Sequence, residues 1–588
     1  LPTRLATTIK SLLRRAAPGF TGGAGPAPAA SRRLWWWTLL ALLCLPVLAP
    51  VLSVVLLSFF PDGEDGIWHH LYSTVLGGYI FNTVALMAGV GVGVFCIGAG
   101  TAWLVTMYSF PGRAVFEWCL LLPLAVPAYL MAYCFTDLLE FSGPVQVFLR
   151  GIFGWSSARD YWFPDIRTLP GAVAVMSLVL YPYVYLMARL GFLELSSNLL
   201  ESARTLGYGA AGAFYKVALP LARPAIAVGI ALVCMETLND YGTVDHFAVA
   251  TLSRGVFDVW LNMGSLGGAA QLSSAMLVFA VLLVAVERAA RRRRRYDQDH
   301  HRFKPLTRQP LRGGRAFLAT AACALPVAAG FVLPGALLLH YAVGYWDSSR
   351  AGRFLEFAAN SILLSTLAAL TAVLFALFIA YARRLCRNPT SNALASLTAG
   401  GYALPGAMLA IGVLIPLSWL DNRVDAWAEA NLGIDTGLLL SGTLAALVLA
   451  FVARFLAVAS GAVEASLTRI TPNMEHAARS MGYPPLKVLR KFHLPAIRGG
   501  LWAGLLLVFV DGMKELPMTL LLRPFNFETL STFVYQYASS ELLEECAAGG
   551  LLILAAGLIP VILLSRALTT GARGGRRVAR EPVVVEYI

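Results

Sequence analysis

Charge is what this 588-residue chain has least of. Asp, Glu, Lys and Arg together make up 13% of it, against roughly 25% in an average soluble domain. So few charges cannot cover a surface that faces water. No GxxxxGK loop followed by Ser or Thr occurs, so the chain has no phosphate cradle of that kind and its energy must come from another subunit. GxSxG, HExxH and paired-cysteine zinc patterns are missing too, leaving no visible constellation for an intramembrane enzyme. The eight cysteines stand singly, without a CxxC pair. They read as small apolar residues rather than metal ligands or a disulfide framework.

What the chain does have is apolar length. Hydrophobic residues make up 58% and fall in blocks of about 20, the length a helix needs to cross ~30 Å of hydrocarbon. Only helices and closed barrels satisfy the backbone in lipid, and continuous blocks without alternation select helices. The expected fold is an all-α polytopic membrane bundle of about 12 helices. Expected spans are Leu34–Phe60, Tyr79–Tyr108, Val115–Leu139, Gly171–Leu193, Leu221–Asn239 and Ala269–Val286. A second set runs Ala316–Tyr341, Ala358–Tyr381, Asn392–Leu420, Thr436–Ser460, Ile497–Leu522 and Ala547–Leu564.

The net charge of +13 and the run Arg291 to Arg295 read as cytoplasmic flanks of spans, not as a nucleic-acid surface. With the N-terminus in the cytoplasm, most of the 46 Lys and Arg fall on cytoplasmic segments, and Lys514 is read as the basic residue inside a span. Both termini are then expected in the cytoplasm, in an inner-membrane protein. The apolar run from Leu34 is too long for a signal-peptide core and reads as the first span.

The chain repeats itself. ARTLGY at 203–208 recurs as ARSMGY at 478–483, an offset of 275. Asn82-Thr83 matches Asn360-Ser361, and Val126-Pro127-Ala128 matches Leu404-Pro405-Gly406, both at 278. A six-span unit is duplicated and fused, and an even number of spans gives both copies the same orientation. The expected parts are a cytoplasmic segment 1–33, a first repeat 34–287, a basic linker 288–315, a second repeat 316–566 and a cytoplasmic tail 567–588.

Between the fourth and fifth spans of each copy lies a polar loop. Ser196 and Thr471 stand at N-cap positions, with Pro472 at the first helical position. A short helix follows and stops at Gly207 or Gly482, residues able to take a left-handed C′ conformation. Lys216, and Lys487, Arg490 and Lys491, come next, and Pro220 and Pro495 open the following span. A short capped helix of small residues suits docking into a groove on a partner.

ESARTLG followed by ALP, and HAARSMG followed by HLP, resemble the EAA loop of permease subunits from binding-protein-dependent ABC importers. The two-by-six architecture matches that family over nearly the whole chain. KELPMTLLLRPFNFETLST at 514–532 and METLNDYGTVDHF at 235–247 resemble the ferric-iron permeases, although thiamine and phosphonate permeases share the architecture. The resemblance implies two parallel repeats of the ABC-importer permease fold, two copies of a cytoplasmic ATPase that uses the ATP, and a periplasmic binding protein. No cofactor is expected on this chain itself. By position, Glu201, Ala203, Gly207 and Pro220 fall in the first docking loop, and Glu475, His476, Ala478, Gly482 and Pro495 in the second. Glu475 lies one residue early, with His476 in the aligned position.

Ionisable residues inside spans are expensive and point to function. Glu236 and Asp240 lie late in the fifth span, and Asp511, Lys514 and Glu515 late in the eleventh. At the 275 offset Glu236 aligns with Asp511, Asn239 with Lys514 and Asp240 with Glu515. Spacings of three and four residues put each set on one helix face. They either line a translocation path or, through Lys514 neutralising Asp511 or Glu515, lock the two halves together. Carboxylates with Tyr241 suit transient contact with a hard ferric ion, with no stable metal site. His69, His70 and His246 are weaker candidates, and His493 is expected on the docking surface. An ion-coupled secondary transporter would explain the membrane charges but not the duplicated capped loops.

Overall fold

The structure is a computed structural model, and it describes residues 30–59, 67–193, 195, 203, 205–292, 308–345, 351–385, 394, 398, 400–468, 470 and 472–578. Among them are 11 helices long and apolar enough to cross a membrane, and 12 if the pair Arg113–Ala125 and Ala128–Phe153, bent by 92°, is counted as one broken span, as it is below. Each expected span has its counterpart, from Thr38–Leu57 to Leu543–Ile562. The only strands among the described residues are Tyr108–Ser109 and Gln309–Pro310, a two-residue parallel pair.

The third span is not the continuous helix expected over Val115–Leu139. Proline disfavours helical backbone at the residue before it and cannot donate to the preceding turn. Val126 is accordingly extended, at ψ 122°, and a new helix starts at Ala128. Leu404 repeats this at ψ 133° before Pro405, so a new helix begins at Gly406; the expected start at Asn392 lies outside the described residues. The eleventh helix likewise stops at Lys514 instead of reaching Leu522. Glu515 is extended, and Pro517 opens a separate helix, Pro517–Leu522.

The two repeats embrace. The first span (Thr38–Leu57) packs on the eighth, ninth and tenth. A Cβ on Gly412 would lie 2.3 Å from the Pro50 carbonyl, so glycine is what lets the first and ninth helices approach. The seventh span (Gly314–Gly344) mirrors this on the second, third and fourth. There a Cβ on Gly330 would lie 2.9 Å from the Leu178 carbonyl.

The matched Asn-Thr and Asn-Ser pairs clamp the chain where it returns after the fifth and eleventh spans. Asn82 Nδ2 donates to the Ala250 carbonyl at 2.9 Å, and Asn360 Nδ2 to the Glu528 carbonyl at 3.0 Å. Next to them, Leu252 N donates to Thr83 Oγ1 at 3.0 Å and Leu530 N to Ser361 Oγ at 2.7 Å. These returning segments carry backbone groups unpaired by regular helix, and a buried backbone group needs such a partner.

Candidate functional site

The breaks described above meet at one place. A cavity of about 140 Å³ lies between the repeats, and Glu236, Asp240, Tyr241, Asp511, Lys514 and Glu515 all line it. The sequence brings these six together, but not by the helix-face geometry expected. Asp240 and Glu515 stand just past the helix ends in extended backbone, at ψ 129° and 121°. Each turns to cap the short helix that follows. Asp240 Oδ1 accepts from Thr243 N at 2.9 Å, and Glu515 Oε1 from Met518 N at 3.3 Å. Ser253 and Ser531 hold the two peptide carbonyls, donating to Asp240 O at 2.8 Å and to Glu515 O at 2.9 Å.

Contacts across the repeats use equivalent positions. Tyr402, on the short helix Gly401–Ala403 before the proline break, donates its hydroxyl to Glu236 Oε1. Lys514 Nζ donates to the carbonyl of Leu124 at 3.1 Å, and Leu124 is the 278-offset counterpart of Tyr402. Lys514 therefore joins the halves through a carbonyl. Glu515 is neutralised by Arg454 instead, 3.3 Å away and as buried as its partner.

Arg454 and Arg189 are the buried arginines inside spans, in the tenth and the fourth, where only Lys514 was expected. The signal for Arg454 was its own position in the middle of the tenth apolar block, between Ala453 and Phe455. Tyr402 and Tyr183, which also line the cavity, are neutral phenols and gave no signal. Gly406 makes room for the ion pair, because a Cβ there would fall 2.7 Å from Arg454 Nη1 and 3.1 Å from Glu515 Oε1.

Beside the cavity, Tyr241 continues into a second network that also crosses the repeats. Its hydroxyl lies 3.1 Å from that of Tyr535, which donates to Asp245 Oδ2 at 2.8 Å. Asp245 pairs with Arg254 at 3.3 Å. His246 bonds Thr136 Oγ1 through Nε2 at 3.0 Å, and burial pushes its imidazole down to about 4, leaving it neutral. Among the described residues no three His, Cys, Asp or Glu are grouped to hold a metal ion. His69 is exposed, and the side chain of His70 lies outside the described residues.

The two loops end as their glycines imply. Gly207 and Gly482 take φ of 82° and 83°, and the following tyrosines close the turn. Tyr208 N donates to Ala203 O at 3.0 Å, and Tyr483 N to Ala478 O at 3.3 Å, the six-to-one bond of a Schellman motif. Lys216 and Lys491, at the same repeat position, fold back over these rings at 4.9 and 5.5 Å. Pro220 and Pro495 each follow a five-residue π-helical turn, Phe214–Ala218 and Leu489–His493.

Two expectations change here. Ala203 and Ala478 are buried against this chain's own body, so their small side chains seat the helix rather than meet a partner. The exposed apolar residues among the described ones include Leu206, Tyr215, Met474, Met481 and Leu486. His493, expected on the docking surface, is buried with its ring edge-on to Tyr381. Glu475 and His476 fall on the helix Pro472–Ser480, but their side chains lie outside the described residues, as do Glu201, Ser196 and Thr471.

Matched sets of apolar helices, a polar cavity between them and a glycine-ended loop in each fit a permease. Residues 89–296 match the family of binding-protein-dependent transport system inner membrane components. The chain is a multi-pass inner-membrane protein, the permease component of an ABC importer whose ATP is hydrolysed by a partner ATPase. It is similar to an Fe(3+)-transport system permease protein of Haemophilus influenzae, 26% identical over 542 residues that cover 90% of this chain and 98% of that protein. A molybdenum transport system permease protein of Escherichia coli is 25% identical over 35% of this chain and 86% of its own length. A sulfate transport system permease protein of Salmonella typhimurium is 28% identical over 40% of this chain and 77% of its own length.

Proposed function

We propose that the chain carries ferric iron across the inner membrane through the cavity between its repeats. The observation that carries this reading is the charge of the lining: four carboxylates, Glu236, Asp240, Asp511 and Glu515, against two cations, Lys514 and Arg454. A net negative, oxygen-rich pocket suits a hard cation, whereas an oxyanion would face an excess of like charge. Similarity over 90% of the chain to an Fe(3+)-transport permease supports the same cargo.

In this reading both termini face the cytoplasm, as the Lys/Arg asymmetry favours. The loops ending at Gly207 and Gly482 each dock one copy of the ATPase, and a periplasmic binding protein delivers iron on the other face. The approach of the two ATPases is transmitted through the seated helices to the fifth and eleventh spans, whose ends form the cavity. The division into repeats 34–287 and 316–566 joined by linker 288–315 belongs to the same proposal.

The test is uptake of radiolabelled ferric iron by proteoliposomes holding the permease, its ATPase and its binding protein. Accumulation should require ATP and resist excess molybdate or sulfate. Uptake of an oxyanion in place of iron, or uptake driven by an ion gradient without ATP, would overturn the reading.

A further inference from the structure

Two side chains in the cavity have no hydrogen-bond partner among the described residues. Asn239 is 5% exposed, and both its amide nitrogen and amide oxygen are buried and unbonded. Tyr129, 4% exposed, has its hydroxyl in the same condition. Both line the cavity. Buried polar groups are almost always satisfied, and each exception calls for an explanation. Gly242 fixes this arrangement, because a Cβ there would fall 2.7 Å from Tyr129 Cβ and 2.9 Å from Leu516 Cδ2.

The chemistry of these groups says what would satisfy them. An amide offers a donor and an acceptor together, and a phenol does the same. A naked cation takes only the acceptors and repels the N–H and O–H ends. Three of the four carboxylates are already held by the protein: Glu236 by Tyr402, Asp240 by Thr243 and Glu515 by Arg454. No three of them converge as a metal-binding group. The space also exceeds a naked ion, since about 140 Å³ holds several waters at their liquid volume of about 30 Å³. Lys514 and Arg454 in the same wall find no acceptor on a naked ion, but can donate to the oxygen atoms of a ligand shell.

Resting on the ferric reading above, we propose that the cation occupies this cavity as a coordination complex, with its first shell of water or small oxygen ligands retained. Asn239 and Tyr129 read that shell through hydrogen bonds, while the carboxylates balance its charge without displacing it. Asn239 and Lys514 hold the same repeat position, so one half presents an amide to the shell and the other an ammonium.

The probe is hexaamminecobalt(III), a trivalent complex whose ligands exchange too slowly for direct coordination by protein. Its binding to the purified full-length chain in lipid nanodiscs is measured, beside ferric uptake by the assembled importer. Saturable binding is expected. Asn239→Leu and Tyr129→Phe should each weaken it at least tenfold and lower ferric uptake, with unchanged thermal melting. Ferric uptake that persists while the unmodified chain ignores the cobalt complex would overturn the retained shell and leave the ferric reading standing. Ferric uptake at the normal rate in both variants would do the same. Failure to carry ferric iron at all, with uptake of molybdate or sulfate instead, would overturn the ferric reading itself. Ferric citrate against ferric aquo species, supplied at equal iron, then separates a chelate shell from a water shell.

Discussion

The hydroxyl of Tyr381 donates to the carbonyl of Pro485 at 2.6 Å, tying the end of the eighth span to the residue that opens the eleventh. One turn later, Arg384 donates to the carbonyls of Leu467 at 3.1 Å and Ile470 at 2.8 Å. A single helical turn thus holds both the entry and the exit of the second loop. The first loop is held differently. Trp103, the 278-offset counterpart of Tyr381, packs its ring against Phe192 and Phe214 at 5.4 and 5.1 Å.

Unequal fastening predicts unequal response. Removing one neutral hydrogen bond shifts an equilibrium by about 0.5–1.5 kcal/mol, or roughly 2- to 10-fold. Tyr381→Phe should reduce ATP-driven uptake within that range while the partner ATPase continues to hydrolyse. Arg384→Gln, which loosens two carbonyls, should uncouple transport further. Uptake per ATP in proteoliposomes measures both, and an unchanged ratio in the two variants would show that the latch has no part in coupling.

The loop glycines make a sharper prediction. A side chain at Gly207 or Gly482 meets no heavy atom within 4 Å, so only the positive φ opposes substitution. A left-handed conformation costs roughly 1–2 kcal/mol for an ordinary L-residue, and Asn tolerates it best. Gly207→Val and Gly482→Val should abolish uptake while the protein still inserts. Gly207→Asn and Gly482→Asn should keep most of it. Equal loss in the Val and Asn variants would point to a contact with the partner instead of the turn.

How far the sequence spoke for itself follows from which interactions leave a local signature. Hydropathy marks a span whatever surrounds it, so the spans and the duplication were legible. The Asn82 and Asn360 match was legible too, although its purpose was not, because each partner carbonyl lies 168 residues away. The proline breaks were visible as residues at 127 and 405. Averaging over an apolar window hides the bend they cause, and it also hides the helix ends at Asn239 and Lys514 that bring Asp240 and Glu515 to the cavity. Arg454 was hidden by the same averaging. The alignment of Asn239 with Lys514 was plain, but an unsatisfied amide is a property of three-dimensional surroundings alone.

The carboxylates on the two repeats should act as a pair. Glu236 and Asp511 occupy equivalent positions in the wall, and each contributes charge where the cargo sits. Glu236→Gln with Asp511→Asn should slow ferric uptake at least tenfold, with little change in melting temperature. Each single variant should cost less than the pair. Normal uptake in the double variant would remove both from the pathway.

The Arg454–Glu515 pair separates a stability role from a transport role. Both side chains are buried, and breaking such a pair by removing one partner costs about 3–5 kcal/mol, because a charge is left uncompensated. Arg454→Met should therefore lower the melting temperature of the chain in nanodiscs, whatever the cargo. Glu515→Gln added to it removes the stranded charge and should recover most of the loss. Gly406→Ala tests the same contact from outside, since its Cβ would press on Arg454 Nη1 at 2.7 Å without altering any charge. If the double variant regains stability but not uptake, the pair serves the pathway as well as the fold. If it regains both, the pair is a strut, and the path is left to Glu236, Asp240 and Asp511.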